Sequence, residues 1–233
     1  MSTIQDLLLI PGLLCTGDLF SPQTYALSQR VRAQISDHTT AASMPAIAAS
    51  ILATAPARFA LCGLSMGGYI AFEILRQAPQ RVTRLALLDT SAKPDTPERS
   101  AARRQLVARA EAEGISAVSE SLFPQWVHQR RAKDEPLKKV VTKMAEKTGV
   151  MKFARQMTAI AARADSRPTL SSIRVPTLVL VGREDAATPV AEAEAIADGI
   201  AGSTLKVLDD CGHLSTLEQP DLVTDALLRW LDA

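Results

Sequence analysis

The 233-residue chain has few cysteines and no long apolar run, and each shortage excludes a class of protein. Cys15, Cys62 and Cys211 lie far apart and provide neither a disulfide framework nor a zinc signature. No apolar run approaches the ~20 residues that a membrane-spanning helix requires. The run from Leu7 to Leu14 is broken by proline and has no basic leader, which argues against a signal peptide. We therefore expect a soluble cytoplasmic protein.

Charge of one sign is also lacking, since 26 Lys and Arg residues face 25 Asp and Glu residues. This balance removes any overall electrostatic case for a nucleic acid or an anionic membrane as a partner. The hydrophobic content of 47% excludes a disordered chain. The length fits one large domain, or one domain that carries an insertion.

Six short apolar runs alternate with longer helical patterns, which favours an α/β fold with a parallel sheet. Most of the runs are continuously apolar, as is typical of strands buried on both faces. The predicted strands are Asp6–Ile10, Val31–Ser36, Arg58–Cys62, Val82–Asp89, Pro176–Val181 and Thr204–Leu208.

Residues 93–167, called the helical segment below, contain no convincing strand and are rich in good helix formers. The predicted helices are Arg103–Glu113, Ile115–Leu122 and Lys138–Arg163. We interpret the segment as a helical cap inserted into an α/β core of residues 1–92 and 168–233; the alternative is a further part of the helical layer. It holds 16 basic and 9 acidic residues, against 10 and 16 elsewhere. Such a cap would attract substrates that carry a carboxylate, unless the charges only form solvated helix faces.

The most informative motif is Gly-x-Ser-x-Gly, formed by Gly63, Ser65 and Gly67 between an apolar strand and a helix. This context is typical of a nucleophile elbow, in which a strained turn exposes a reactive serine. The alternative is a tight glycine-rich turn with an idle serine.

A serine hydroxyl needs a base that takes its proton and an acid that orients the base. In proteins with this elbow the chain order is serine, acid, histidine, which favours His213 over His38 and His128. Asp185 follows the fifth predicted strand and is the preferred acid, while Asp89 and Glu184 remain rivals.

An oxyanion hole requires two backbone donors near the substrate carbonyl. The elbow predicts the amide of Met66 as the first donor. The loop after the first strand should supply the second, and we choose Leu13 because Gly12 lets this backbone approach the substrate closely. Leu13 and Leu14 are alternatively plain core residues.

These features together resemble the α/β-hydrolase superfamily over nearly the whole chain, and more narrowly its small bacterial carboxylesterases and enol-lactonases. The stretches that carry the resemblance are Gly63–Phe72, Arg81–Asp89, Pro176–Asp185, Asp210–His213 and Glu218–Pro220. The resemblance implies a helical cap that walls the substrate pocket, and neither a metal nor an organic cofactor.

Two departures from the family pattern stand out. The oxyanion loop has Pro11-Gly12 where the family usually has His-Gly, so the hydrogen bonding of this loop must differ. The first predicted strand already leads into that loop, so the usual first two strands are missing. We therefore predict a six-stranded, all-parallel sheet.

Ser65 predicts acyl transfer to water through an acyl-enzyme, because relatives with other chemistry need Asp or Cys at this position. The apolar candidate pocket residues given below favour small to medium carboxylic esters or lactones as substrates. C–C bond hydrolysis, perhydrolysis, and a non-catalytic ligand receptor or scaffold on the same fold are the alternatives. The sequence leaves the natural substrate and the oligomeric state open. Candidate pocket residues, which alternatively only pack helices together, are Leu14, Leu122, Phe123, Trp126, Met151, Phe153 and Met157.

Overall fold

In a computed structural model that describes residues 5–233, six parallel strands form one sheet with helices on both faces. Each predicted run forms a strand whose ends lie within two residues of the predicted ends. The strands are β1 (Gln5–Ile10), β2 (Val31–Ile35), β3 (Phe59–Leu64), β4 (Val82–Leu88), β5 (Thr177–Gly182) and β6 (Thr204–Leu208). The prediction of a six-stranded, all-parallel sheet is confirmed.

The strand order β2-β1-β3-β4-β5-β6 explains which runs are continuously apolar. The inner strands β3 and β5 are buried at every position, whereas the edge strands β2 and β6 expose part of their residues. Successive side chains of β1 enter different cores, with Leu7 and Leu9 on one face and Leu8 and Ile10 on the other.

Ten helices connect the strands within residues 5–233. They are α1 (Ser21–Ala26), α2 (Met44–Thr54), α3 (Met66–Gln77), α4 (Pro97–Glu113), α5 (Ile115–Trp126), α6 (Glu135–Ala161), α7 (Arg167–Leu170), α8 (Val190–Gly199), α9 (Ser215–Glu218) and α10 (Pro220–Asp232). Helices α2, α3 and α8 cover one face of the sheet, and α1 and α10 pack on the other. None of the helices in this part of the chain is both long and apolar enough to cross a membrane.

The helical segment provides α4, α5 and α6 between β4 and β5, and these three helices pack against one another. Helix α4 begins six residues before its predicted start, and α5 continues past Pro124 to Trp126. Gly114 separates α4 from α5 with a φ of 89°, and Gly149 interrupts α6 with a φ of 74°.

All loops that follow the strands lie at the same edge of the sheet, because the strands are parallel. Strand β1 pairs with β2 on one side and β3 on the other, so the chain leaves β1 and β3 in opposite directions. Ligands of open α/β sheets bind at such a switch point, outside the carboxyl ends of the strands. The fold therefore directs attention to the loops after β1 and β3.

Candidate active site

Ser65 lies in the turn between β3 and α3 with a φ of 54° and a ψ of −112°, a strained conformation for a residue with a side chain. Its backbone amide donates to the carbonyl oxygen of Leu88 at 2.9 Å. A Cβ at Gly63 would lie 2.3 Å from the carbonyl oxygen of Gly67, and one at Gly67 would lie 2.0 Å from that of Ile10. The positions two residues before and two residues after the serine must therefore be glycine.

His213 and Asp185, from the loops after β6 and β5, meet Ser65 at this edge. The Nε2 atom of His213 lies 2.9 Å from Ser65 Oγ, and its Nδ1 lies 2.7 Å from Asp185 Oδ2. Asp185 also accepts hydrogen bonds from the amides of Ala187 and Thr188 and from the Thr188 hydroxyl. Both side chains are almost fully buried. The arrangement lets the histidine accept the serine proton while the carboxylate holds the opposite ring nitrogen.

The electrostatics of this trio suit a base that becomes charged. Burial alone would raise the pKa of Asp185, but the charge and hydrogen bond of His213, together with the Thr188 bonds, hold it below its ordinary value. Burial alone would lower the pKa of His213, but the negative charge of Asp185 raises it above its ordinary value. The buried pair therefore favours the imidazolium that a proton transfer from Ser65 creates.

The rival acids lie close to the site but make other contacts. The carboxylate of Asp89 accepts hydrogen bonds from the Gly182 amide and the Ser215 hydroxyl. Burial, and then the charge of Asp185, raises the pKa of Asp89 well above its ordinary value. Glu184 accepts a hydrogen bond from the Cys211 amide at 3.0 Å.

The rival histidines are both buried and both hydrogen-bonded elsewhere. The Nε2 atom of His38 lies 2.9 Å from the carbonyl oxygen of Gly12. The Nδ1 atom of His128 accepts a hydrogen bond from the Arg130 amide in a short turn between α5 and α6. Of the three histidines, His213 is the one whose ring contacts Ser65.

The loop after β1 lies directly against the serine, since a Cβ at Gly12 would lie 3.4 Å from Ser65 Cβ. Leu13, the predicted second donor, borders the same cavity as Ser65, and Met66 is the first residue of α3. Within residues 5–233, the amides of Leu13 and Met66 donate to no protein acceptor. Both amides are thus free to donate to a substrate oxygen.

A sequence model of the alpha/beta hydrolase fold matches residues 21–220, most of the chain. The chain belongs to the α/β-hydrolase fold family. It is 30% identical over 168 residues to 3-oxoadipate enol-lactonase 2 of Acinetobacter baylyi, an alignment that covers 71% of this chain and 61% of that enzyme. The chain spans about three-fifths of the length of the first curated relatives that it matches.

Solved structures agree with this membership. A thermophilic esterase from Thermogutta terrifontis, determined with malate bound, has a TM-score of 0.88 and 31% identity, over 100% of this chain and 91% of that one. The enol-lactonase from Burkholderia xenovorans has a TM-score of 0.88 and 26% identity, over 100% of this chain and 93% of that one. The predicted resemblance to α/β hydrolases of the esterase and enol-lactonase kind is confirmed.

In this α/β hydrolase, a cavity of about 250 Å³ opens onto Ser65 and His213. Strand-end loops form one wall, and the helical segment forms another with Arg99, Arg103 and Trp126. Cys15 also borders the cavity, but burial raises the pKa of its thiol to about 12, so it stays protonated. Within residues 5–233, no group of three or more metal-ligating side chains is close enough together to hold a metal ion.

Of the candidate pocket residues, Trp126 borders the cavity that the described residues form next to Ser65, and the other six lie outside its wall. Phe123, Phe153 and Met157 are buried in the core between helices, because their helical spacing places them on inward faces. The others are Leu14, which is fully buried in the same core, Leu122, which packs against it, and Met151, which is 77% exposed.

Sequence reasoning missed the two arginines of the cavity wall. Arg99 and Arg103 are four residues apart on α4, so they share one face of that helix. Arg103 is held by the buried carboxylate of Asp95, whereas the side chain of Arg99 is exposed and makes no ion pair among the described residues. The i, i+4 arginine spacing in a basic segment was the available signal.

Proposed function

We propose that the chain is a serine hydrolase that cleaves small to medium carboxylic esters or lactones through an acyl-enzyme on Ser65. The observation that carries this proposal is a pair of contacts of the His213 ring, with Nε2 2.9 Å from Ser65 Oγ and Nδ1 2.7 Å from Asp185 Oδ2. Membership of a family with enol-lactonase and esterase relatives supports it.

In the proposed mechanism, Ser65 Oγ attacks the substrate carbonyl carbon while His213 Nε2 takes the hydroxyl proton. The oxyanion of the tetrahedral intermediate accepts hydrogen bonds from the amides of Leu13 and Met66. The imidazolium, stabilised by Asp185, then gives its proton to the leaving alcohol oxygen, and an acyl-enzyme remains. Water then attacks the acyl carbon while His213 takes one of its protons; His213 returns this proton to Ser65 Oγ as the acyl–Oγ bond breaks and the acid leaves.

The helical segment acts as a cap in this proposal, because Trp126 and the α4 arginines line the cavity together with the loops after the strands. A cavity of about 250 Å³ is smaller than most drug-binding pockets, which favours acyl groups of a few carbons. Ser65 and the two amides are the only groups that this mechanism requires to touch the reacting carbonyl.

A carboxylate on the substrate is favoured by the charge of the cavity wall. Arg99 and Arg103 line the cavity, and no Asp or Glu does among the described residues. The similar Thermogutta esterase, whose structure holds the dicarboxylate malate, supports the same preference. The proposed substrate therefore carries its ester or lactone at Ser65 and an anionic group toward α4.

Hydrolysis of p-nitrophenyl esters of two- to eight-carbon acids by the purified protein tests the reaction. We expect activity in the wild type and in Ser28→Ala, a control at an exposed serine, and a loss of at least ~10³-fold in Ser65→Ala. A serine-directed phosphonate should add its mass to the wild type but not to Ser65→Ala. Wild-type activity equal to that of Ser65→Ala across the series would favour the receptor alternative.

Monoethyl succinate and ethyl butyrate test the charge preference, since they are similar in size and only the first carries a carboxylate. We expect added salt to lower kcat/KM for the succinate ester alone. Arg99→Gln should lower kcat/KM for the succinate ester about tenfold. Arg104→Gln removes the same charge outside the cavity wall and should leave this kcat/KM unchanged. Equal responses of the two esters would refute the preference.

A further inference from the structure

The loop of residues 11–15 must aim the amide of Leu13 at the substrate, yet among residues 5–233 that amide donates to no acceptor that would hold it. Its direction is set by the carbonyl of Gly12, because both groups belong to one planar peptide unit. In a trans peptide the C=O and N–H bonds point in opposite directions. Whatever holds the Gly12 carbonyl oxygen therefore aims the Leu13 amide.

His38 holds this carbonyl. It follows β2, its side chain is almost fully buried, and its Nε2 atom lies 2.9 Å from the carbonyl oxygen of Gly12. The same oxygen accepts the amide of Cys15 at 3.1 Å, which closes the loop. Burial lowers the pKa of His38, so the ring is neutral and carries a single N–H. The contact is a hydrogen bond in the tautomer that has the proton on Nε2.

Gln156, from α6 of the helical segment, holds the next peptide unit. Its buried Oε1 atom accepts the amide of Leu14 at 3.2 Å. Leu14 has a φ of 59°, a conformation that is unfavourable for a residue with a side chain unless other contacts hold it. The amide nitrogen of Gln156 lies 2.9 Å from Nε2 of His38. With the proton of His38 on Nε2 this is a contact between two donors and not a hydrogen bond, so each side chain holds the loop through its own bond.

We propose that His38 and Gln156 are positioning residues that together aim the Leu13 amide into the oxyanion hole. The inference rests on the proposed hydrolase function and adds the groups that orient its second donor. It also accounts for the missing His-Gly pair of the family pattern, since the histidine that anchors the loop comes from the loop after β2. The oxyanion hole thereby depends on both the core and the helical segment.

Two substitutions, His38→Gln and His38→Asn, test the role of His38. The side-chain amide of glutamine reaches the position of Nε2, whereas that of asparagine reaches only the position of Nδ1. Gln156→Met, which is similar in size but has no amide acceptor, tests the role of Gln156. The readouts are kcat and KM for p-nitrophenyl butyrate, inhibition by butylboronic acid, whose adduct with serine is tetrahedral, and inhibition by butyrate, a ground-state ligand.

We expect His38→Asn and Gln156→Met to lower kcat about 10- to 100-fold, less than the ~10²–10³-fold loss of a whole donor. The inhibition constant of the boronic acid should rise by a similar factor. The inhibition constant of butyrate and the KM should each stay within about threefold of the wild-type value. His38→Gln should recover most of the activity. His128→Gln, the loss of another buried histidine, should change stability but not the ratio of boronic acid to butyrate inhibition.

Equal losses of boronic acid and butyrate binding in His38→Asn and Gln156→Met would overturn the proposal, as would equal activity of the two His38 variants. If a variant does not fold, ¹⁵N chemical shifts of the wild-type histidine rings decide, because a proton on Nδ1 of His38 excludes the required bond. An inactive wild type would refute the hydrolase function itself, which is a different outcome.

Discussion

The loops after the strands and the helical segment differ in where each places strained backbone. Within residues 5–233, all non-glycine residues with a positive φ follow strands, namely Leu14, Ser65, Asp89 and Asp210. In the helical segment the positive φ angles belong to Gly114 and Gly149, where a Cβ would meet nothing within 4 Å. The loops after the strands are strained at residues with side chains, whereas the helical segment bends at glycines that have open space around them.

Backbone strain in the loops after the strands persists because several hydrogen bonds hold it. The carbonyl oxygen of Ser65 accepts a hydrogen bond from the Thr90 hydroxyl at 2.7 Å, and the amide of Asp89 donates to Leu180 at 2.8 Å. Such over-determined conformations are found where side chains must react. At the first bend of the helical segment, the amide of Gly114 donates a hydrogen bond to the carbonyl oxygen of Ala110 at 3.0 Å, within the end of its own helix.

The largest effect is expected when a carboxylate in the loops after the strands is replaced, in comparison with one in the helical segment. Asp185→Asn should lower kcat about 10⁴-fold at neutral pH, because an asparagine amide favours the wrong tautomer of His213. Asp134→Asn, at the N-cap of α6, should leave kcat within about twofold, because Asn caps a helix as well as Asp does. Steady-state kinetics with one ester measure both. A small loss in Asp185→Asn with a large loss in Asp89→Asn would assign the acid to β4 instead.

Glycine substitutions provide the next effect. Gly67→Ala should lower the free energy of unfolding by about 3 kcal/mol or more, since its Cβ would lie 2.0 Å from the backbone oxygen of Ile10. Gly149→Ala should cost less, about 1–3 kcal/mol, because its φ of 74° and ψ of 166° are essentially confined to glycine although its Cβ would meet nothing within 4 Å. Urea unfolding followed by circular dichroism measures both values. Equal costs would show that crowding does not distinguish the two regions.

The smallest effect is a shift in pH dependence. His213 acts as a base only when neutral, so kcat/KM should rise with pH through its pKa. Because Asp185 raises this pKa, the midpoint should lie above the ordinary value of 6.5. Removing the negative charge in Asp185→Asn should move the midpoint of the residual activity to lower pH. A profile that stays in place would show that Asp185 does not set the charge of His213.

Much of the fold follows from local pattern. The strand β5 was predicted within one residue at each end, because a parallel strand buried on both faces is continuously apolar. The turn at Ser65 was likewise predictable from the sequence, since Gly63 and Gly67 are required by contacts within the turn and with its neighbour β1. The residues of the cavity wall were not predictable, because Phe123 and Arg99 both belong to helices whose orientation depends on packing.

The six parallel strands, the strand-to-helix turn at Ser65 and the helical character of residues 93–167 followed from the sequence alone. These features depend on apolar periodicity, glycine and helix propensity, which act over a few residues. Only the tertiary structure decided that the ring of His213, 148 residues after Ser65, lies against it, and that His38 lies against Gly12. Such contacts join residues far apart in the chain, and they form only where the packing of the whole sheet brings its strand ends together.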